Sequence, residues 1–303
     1  MSSKELYVAY CSKHSVALFF SPGWLKMLGG SWDVLHIAEG DDSVFFVYHT
    51  EKKLQFKIIR NGFLTPYSGF LFPGKAPTVE IQQLLVSKAL QRLPNFHELH
   101  IDLHPGLDLR LTFDSFLTEE KITNILTIED MEAVRKAYKP ALKRQINKAT
   151  QILHVEEKDD IQLFFQLHQK TFQKQHLKTI TPLSEFENTW NYCKKQQCGK
   201  LLFAVDTNKN VHAALFLCYD DEVAYYLAGG TDAAFYGSGA LSYLMHTAIQ
   251  LSSELGKKRF DFEGSMIASV NKFFSNFRPT VCPYFTISKK DSMLLKIIKK
   301  LKK

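Results

Sequence analysis

Three apolar segments joined by short turns, in the second half of the chain, restrict the fold more than any other feature. Each has the length of a strand and is bounded by turn residues, so together they predict a three-stranded meander. The segments are GKLLFAVDT, NVHAALFLCYD and EVAYYLAGGT. A helix from about Ser238 to Leu255, ended by Gly256, and a strand RFDFEG are predicted to follow.

The first half of the chain is also rich in predicted strands. DSVFFVYHT and KLQFKIIR predict a hairpin that turns at Glu51–Lys52, and three more strands are predicted in HELHIDLH, DLRLTFDSF and KITNILTI. A basic helix from about Glu129 to Thr150 follows, and Pro140 inside it predicts a kink or a restart. We place the domain boundary at this helix, which gives domains 1–150 and 151–303. Their similar order of elements indicates a duplicated α/β (α+β) fold.

Composition and charge bound the class of protein. The 303 residues are 45% hydrophobic and 23% charged, which is typical of a soluble globular protein. The formal charge of +7 favours an anionic partner, such as nucleic acid, a phosphorylated ligand or an acidic membrane. An ordinary lysine-rich surface is the alternative, because much of the excess lies in the tail KKDSMLLKIIKKLKK. This amphipathic tail predicts contact with a membrane surface or packing on the first domain.

The five cysteines are scattered, and none of their spacings is typical of a metal site. We therefore predict free thiols in a reducing compartment and no bound metal. The N-terminal residues lack the apolar core of a signal peptide, and no apolar run reaches the roughly 20 residues that a membrane span requires. The sequence thus predicts a cytoplasmic protein without a transmembrane segment.

The turn GGTDAAFYGSGA, between a predicted strand and a predicted helix, resembles the glycine-rich turn of the GNAT acyltransferase fold. Four further motifs occur along the chain in an order that carries more weight than any one of them. They are SPGWLKMLGGSWDVL, LTPYSGF, ALKRQINKA and KRFDFEGS. This series resembles the FemABX-type branch of the GNAT acyltransferases, which carries two GNAT-like domains in tandem. The resemblance covers nearly the whole chain. It implies a degenerate GNAT-like domain in 1–150 and a second GNAT-like domain in 151–303, each with a mixed twisted sheet flanked by helices.

The resemblance also implies an activity. Members of the family transfer an acyl or aminoacyl group to an amine acceptor, here expected in a cell-envelope or related precursor. The donor would be acyl-CoA or aminoacyl-tRNA, with its phosphates at the turn of Gly237, Ser238 and Gly239, where a helix N-terminus offers backbone N–H groups. The sequence leaves the identity of donor and acceptor and the oligomeric state open.

Two departures from the family pattern favour a second interpretation. Ala234 stands where the family prefers arginine or glutamine, and Phe274 stands where it often has a lysine. The chain also lacks the long helical hairpin that contacts tRNA in some members, so tRNA is not the favoured donor. The alternative is a catalytically inactive tandem-GNAT binding module for a phosphorylated precursor or an anionic surface.

Asp261 and Glu263 are the predicted catalytic residues. Both lie in RFDFEG, and strand alternation would place them on one face. When two carboxylates lie so close together, the pKa of one of them is raised, which suits a general base or a group that holds an acceptor amine. The alternative for Asp261 is structural: it would pair with Arg259 or Arg144, or cap the next helix.

Five further residues are predicted to bind substrate, each with a structural alternative. They are Tyr67, Lys143, Arg144, Tyr225 and Lys272. The two basic residues on the long helix would bind a phosphorylated substrate or remain solvated. Lys272 would bind an anion in the first turn of a helix or remain solvated. Tyr67 lies on a loop, where it would bind substrate or serve packing. Tyr225 and its neighbour Tyr226 point to opposite faces of a strand, so one of them should be buried while the other reaches a cleft.

Overall fold

The computed structural model describes residues 1–29, 31–107, 115–174, 181–264 and 267–290. They form two compact units. The first contains Met1–Ile122 and the segment that begins at Cys282, and the second contains Thr123–Val281. This division differs from the predicted one at residue 150, because the basic helix and the end of the strand before it are part of the second unit.

In its described residues, the first unit is a mixed sheet with the helices α1, α2 and α3. Its strands follow the order β1-β2-β3-β5-β12, β4 pairs with β2, and only the β3–β5 pair is parallel. The elements are α1 Ser3–Cys11, α2 Pro22–Met27, β1 Ser31–Glu39, β2 Asp42–Lys53, β3 Phe56–Arg60, β4 Gly69–Leu71, α3 Val79–Gln91, β5 Glu98–Asp102 and β12 Thr280–Lys290.

The predicted hairpin exists, with a different turn. β2 continues through Glu51 and Lys52, and the chain turns at Leu54, whose φ of 56° is left-handed. The edge strand β1 had not been predicted. It is half-buried, and its apolar residues Val34 and Ile37 are the ones that enter the core.

The second unit is also a mixed sheet flanked by helices. Its strands follow the order β6-β11-β10-β9-β8-β7, in which only β10 and β11 run parallel. Strand β6 begins in the first unit and enters the second at Thr123. The elements are β6 Leu117–Thr127, α4 Met131–Ala137, α5 Pro140–Ala149, β7 Leu153–Glu157, α6 Ile161–Lys174, α7 Leu183–Gln196, β8 Gly199–Asp206, β9 Val211–Tyr219, β10 Val223–Thr231, α8 Ala240–Glu254, β11 Arg259–Asp261 and α9 Ala268–Phe274.

Helices cover both faces of this sheet, which explains why the strands of the meander are continuous apolar runs. In β9, Leu215 and Leu217 pack in the core formed with α5 and α8. Phe216 points the other way and contacts Phe164 of α6 and Trp190 of α7. The predicted meander β8-β9-β10 and the helix that follows it are confirmed, and the φ of 73° at Gly256 confirms the predicted helix end.

Pro140 restarts the basic helix. It occupies the first turn of α5, where the missing N–H costs no hydrogen bond. Leu142, Ile146 and Ala149 face the core. The basic helix therefore packs in the core of the second unit and is not the last element of the first unit.

Two predicted segments lie wholly or partly outside the described residues. Residues 108–114, which hold most of the predicted strand DLRLTFDSF, are one of them. The other is the tail after residue 290. As far as Lys290 the chain pairs with β5, so this part of the C-terminal segment packs on the first unit. No helix within the described ranges is long and apolar enough to cross a bilayer.

Gly230 of β10 permits the close approach of α6, and its substitution should be costly. A Cβ atom there would lie 2.3 Å from the backbone nitrogen of His168. Since this contact is with backbone, Gly230→Ala should force the helix away from the sheet and destabilise the protein by about 3 kcal/mol. Urea unfolding should show a lower midpoint. Gly237→Ala is the matched control, because no atom lies within 4 Å of its Cβ position; equal midpoints for the two variants would contradict the prediction.

Candidate functional site

The parallel strands β10 and β11 separate after three paired residues. Val223–Tyr225 pair with Arg259–Asp261, and β11 ends there. β10 continues to Thr231, and its pairing with β9 is shifted by an irregularity between Tyr226 and Ala228. Within the described residues, the second part of β10 thus has no strand beside it on the β11 side.

Asp261 is held at the end of β11 by hydrogen bonds. The carboxylate is 2% exposed, and its Oδ1 accepts from the hydroxyl of Thr123 at 2.7 Å and from the backbone N–H of Glu263 at 2.8 Å. Arg259, the partner suggested by the sequence, pairs with Glu222. A buried carboxylate with these donors fixes the geometry of the segment that follows the strand.

Glu263 follows the strand, with a left-handed backbone at φ 57°. The prediction that strand alternation places it on the same face as Asp261 is therefore wrong, although the two residues are in contact. Its Oε1 is buried and has no hydrogen-bond partner among the described residues. Burial, and after it the charge of Asp261, raises the pKa of the Glu263 carboxyl well above its usual range.

Tyr226 completes this group, which we call the carboxyl site: Asp261, Glu263 and Tyr226. Burial, with a further contribution from Glu263, raises the pKa of the Tyr226 phenol, so its hydroxyl remains a proton donor. A Cβ atom on Gly229 would lie 2.2 Å from this hydroxyl, so the ring requires a glycine there. Phe274 contacts the Tyr226 ring edge-on, and the phenylalanines after the strand form the wall behind it.

The glycine turn before α8 contains two glycines with different roles. Gly237 lies in an exposed short helical turn, and no atom stands within 4 Å of its Cβ position. Gly239 is buried at the start of α8 with a φ of 77°, and a Cβ atom there would lie 3.0 Å from the backbone oxygen of Gln145. Ser238 accepts a hydrogen bond from the backbone N–H of Ala240. A ligand can thus approach the main chain at Gly237, while Gly239 serves the packing of α5 on α8.

Lys143 and Arg144 lie on α5, the helix that contacts the glycine turn. The Lys143 ammonium donates to the backbone carbonyl of Lys136, and Arg144 is exposed. Neither forms an ion pair with an acid in the part of the chain that the structure describes. α5 meets the turn through Gln145 and Ala149, whereas the Lys143 ammonium is directed at α4.

The other predicted substrate ligands are Tyr225, Lys272 and Tyr67. Tyr225 lies beside the carboxyl site, because it is the residue of β10 that pairs with Asp261. Tyr225 is 1% exposed and donates to Asp220, so it is the buried member of the tyrosine pair. Lys272 is exposed in the last turn of α9, so its predicted place in the first turn is wrong. Tyr67 belongs to the first unit, where it is buried against Phe19, His104 and Tyr284.

Several residues around the carboxyl site had not been predicted. Thr123 reaches Asp261 from a strand 138 positions earlier in the chain. Asn124 accepts from the backbone N–H of Phe262 and donates to the side chain of Asn271 at 3.0 Å. No local pattern indicates these contacts. Tyr226 was indicated in part, since alternation already required it to point away from Tyr225.

Metal binding has no geometric basis in the described ranges. There, no three side chains of histidine, cysteine, aspartate or glutamate come together in a way that could hold an ion. The carboxyl site offers a substrate two carboxyl groups and a phenol.

Residues 135–267 match the family described as acetyltransferase (GNAT) domain. The matched segment includes α5, the meander, the glycine turn, α8 and the carboxyl site. None of the curated proteins matches the chain by sequence.

Solved structures share the fold over nearly the full length of the chain. FemX is 14% identical, with a TM-score of 0.69 and coverage of 98% of both chains. The C-terminal domain of a candidate lysylphosphatidylglycerol synthetase from Agrobacterium fabrum is 11% identical, with a TM-score of 0.55, covering 95% of this chain and 93% of the other. A tandem GNAT protein from the clavulanic acid biosynthesis pathway is 10% identical, with a TM-score of 0.52, covering 95% and 93%.

Proposed function

Since this chain is a GNAT-type protein with the fold of FemX and of a tandem GNAT protein, we propose that it transfers an acyl or aminoacyl group to an amine. The observation that carries this proposal is the carboxyl site. A glutamate with a raised pKa stands at the point where β10 and β11 separate, next to a protonated tyrosine.

The reaction requires proton transfer as well as positioning. The acceptor nitrogen forms a bond to the carbonyl carbon of the donor and loses a proton, and the bond from that carbon to the sulfur or oxygen of the leaving group breaks. Glu263 takes the amine proton in its ionised form, because a base with a raised pKa is more effective near neutral pH. The Tyr226 hydroxyl supplies a proton to the leaving sulfur or oxygen. Asp261 positions Glu263 through the backbone hydrogen bond at 2.8 Å.

The donor would be bound at the glycine turn. Its activated carbonyl group supplies the acyl chemistry. Gly237 offers exposed main chain, and α8, which begins at Ala240, directs the positive end of its dipole toward the same turn. Lys143 and Arg144 add positive charge from α5, which suits the phosphates of an acyl-CoA. Acyl-CoA is the donor that we favour over aminoacyl-tRNA.

The acceptor class follows from the chemistry of the carboxyl site and from the neighbours in fold. A carboxylate next to a buried carboxyl group favours a cationic amine over an anionic or apolar acceptor. The Agrobacterium neighbour is named for lysylphosphatidylglycerol, an aminoacylated membrane lipid. We therefore propose an amine-bearing cell-envelope precursor as the acceptor.

A transfer assay tests the proposal. The protein is incubated with radiolabelled acetyl-CoA, or with aminoacyl-tRNA in parallel, and with amine-bearing envelope precursors. We expect label in the precursor with acetyl-CoA and none when the precursor's amine has been blocked by acetylation beforehand. Transfer from aminoacyl-tRNA alone would overturn the choice of donor, and binding of both substrates without transfer would overturn the enzymatic function.

One observation favours the binding module as the second candidate. Phe274, at the position where the family often has a lysine, is 3% exposed and packs on Phe262 and Tyr226. Lys272 does not take its place, because it is exposed on the last turn of α9. A module of this kind would bind a phosphorylated precursor at the glycine turn and would show stabilisation by that precursor without turnover in the same assay.

A further inference from the structure

Three of the five cysteines come together at the end of α7. Cys193 lies in the last turn of that helix, and Cys198 directly precedes β8. Cys218 of β9 is paired with Gly199, the residue after Cys198. Neither the proposed transfer reaction nor the packing of the core requires thiols at these positions.

A tight turn joins Cys193 to Cys198. The backbone N–H of Cys198 donates to the backbone oxygen of Cys193 at 3.0 Å, and Gln197 closes the turn with a left-handed φ of 54°. The two side chains are also close enough for each to shift the pKa of the other. A disulfide requires two Cα atoms about 4.4–6.8 Å apart with their side chains directed at each other. A turn closed by a hydrogen bond between the backbones of these two residues brings their Cα atoms close together.

Gly199, the residue after Cys198, leaves the space beside the Cys193 side chain free. A Cβ atom on Gly199 would lie 2.9 Å from the Cβ and 3.2 Å from the Sγ of Cys193. Any larger residue would displace the Cys193 thiol. The glycine therefore preserves the position from which Cys193 reaches its neighbour.

The two thiols differ in reactivity. Cys198 is half-buried, and the hydrogen bond that it accepts from Cys193 lowers the pKa of its thiol. Cys193 is buried, and the hydrogen bond that it donates, together with burial, raises the pKa of its thiol. Burial raises the pKa of Cys218 as well. A groove of about 710 Å³ runs beside the end of α7, and Gln197 and Gly199, the two neighbours of Cys198 in the chain, are among the residues that line it. Cys198 is therefore the nucleophile and Cys193 the resolving thiol.

We propose that Cys193 and Cys198 form a peroxide-sensitive dithiol that closes to a disulfide. The Cys198 thiolate attacks one oxygen of a hydroperoxide, the O–O bond breaks, and the products are a sulfenic acid on Cys198 and hydroxide or an alkoxide. The sulfur of Cys193 then attacks the sulfur of Cys198. The S–S bond forms, the S–O bond breaks, and the leaving hydroxide takes the Cys193 proton to give water. One peroxide is reduced for each disulfide formed.

Mass spectrometry of the full-length protein tests this proposal. The reduced protein is treated with one equivalent of hydrogen peroxide, free thiols are blocked, and the protein is digested with trypsin. Because Lys194 and Lys195 lie between the two cysteines, a disulfide should leave two tryptic peptides joined, and reduction should release them. A Cys198–Cys218 link, or oxidation confined to Cys11 or Cys282, would overturn the assignment.

Two variants and one matched thiol distinguish the roles. Cys198→Ser, at the half-buried position, should prevent the cross-link without loss of the fold. Cys193→Ala should leave Cys198 as a sulfenic acid that dimedone traps, and persistent disulfide formation in either variant would contradict the proposal. Cys11 is the control, because it is also half-buried but burial raises its pKa. Alkylation of Cys198 should be about tenfold faster than that of Cys11, and equal rates would overturn the assignment of the nucleophile even if Cys193→Ala did not fold.

Discussion

Replacing Glu263 by glutamine should reduce acyl transfer by about 10²- to 10⁴-fold, the range over which a general base contributes. The amide has nearly the size of the carboxyl group but cannot take the amine proton. Single-turnover transfer from a bound donor is the measurement, because it isolates the chemical step. Glu254→Gln, at an exposed position of α8, is the matched control and should retain the wild-type rate.

The same substitution should increase stability at neutral pH. The pKa of Glu263 is raised in the folded protein, so above the ordinary carboxyl value of about 4.3 the unfolded chain ionises while the folded protein resists ionisation. This difference destabilises the wild type progressively as the pH rises toward the folded pKa. Each tenfold difference in proton affinity between the folded and the unfolded protein corresponds to about 1.4 kcal/mol, and glutamine removes the effect.

Melting curves of both proteins between pH 4 and pH 8 should therefore diverge. The variant should melt at the same temperature as the wild type near pH 4 and at a higher one near pH 7. A variant that melts earlier at pH 7 would indicate that the carboxylate stabilises the fold through a buried partner. A variant that transfers at the wild-type rate would remove Glu263 from the reaction.

Aspartate at the two glycines of the turn should have opposite effects on binding and on the fold. Gly237→Asp should leave the melting temperature unchanged, because the position is open, and should weaken an acyl-CoA donor at least about tenfold by repelling its phosphates. Gly239→Asp should destabilise the protein by about 2 kcal/mol or more, since its φ is 77° and Gln145 stands within 3.0 Å of the new Cβ.

Isothermal titration with acetyl-CoA and a melting curve for each variant check this pair. Gly237→Ala separates charge from size, and it should bind the donor as the wild type does. Equal donor affinity in Gly237→Asp and the wild type would show that the turn is not the donor site. Unchanged stability of Gly239→Asp would contradict the packing role of that glycine.

The sequence was informative wherever a local rule determines the structure. Pro140 restarts a helix because a proline fits only its first turn, and Gly256 ends one because it permits the left-handed conformation. The meander was predictable because its strands are apolar on both faces. Strand alternation predicted that Tyr225 and Tyr226 point to opposite faces of the sheet. The structure shows that Tyr225 is the one that is 1% exposed.

Long-range contacts determine what the sequence could not indicate. Glu263 was expected to continue a strand, but β11 ends at Asp261, whose carboxylate accepts from the backbone N–H of Glu263, and the chain is left-handed at Glu263. The donor Thr123 is 138 residues from its acceptor, so no spacing reveals it. The boundary at Ile122 was missed for the same reason, since the packing of α5 on α8 is not visible in a window around residue 150.

The discontinuity of the first unit affects how the protein can be made on the ribosome. Its strand β5 has one partner close in sequence, β3, but the other edge is covered by residues 286–290, which are synthesised almost two hundred positions later. The second unit is contiguous and can fold while the chain is still being extended. Until β12 emerges, the β5 edge exposes unpaired backbone groups, which is the kind of surface that chaperones protect and that aggregation exploits.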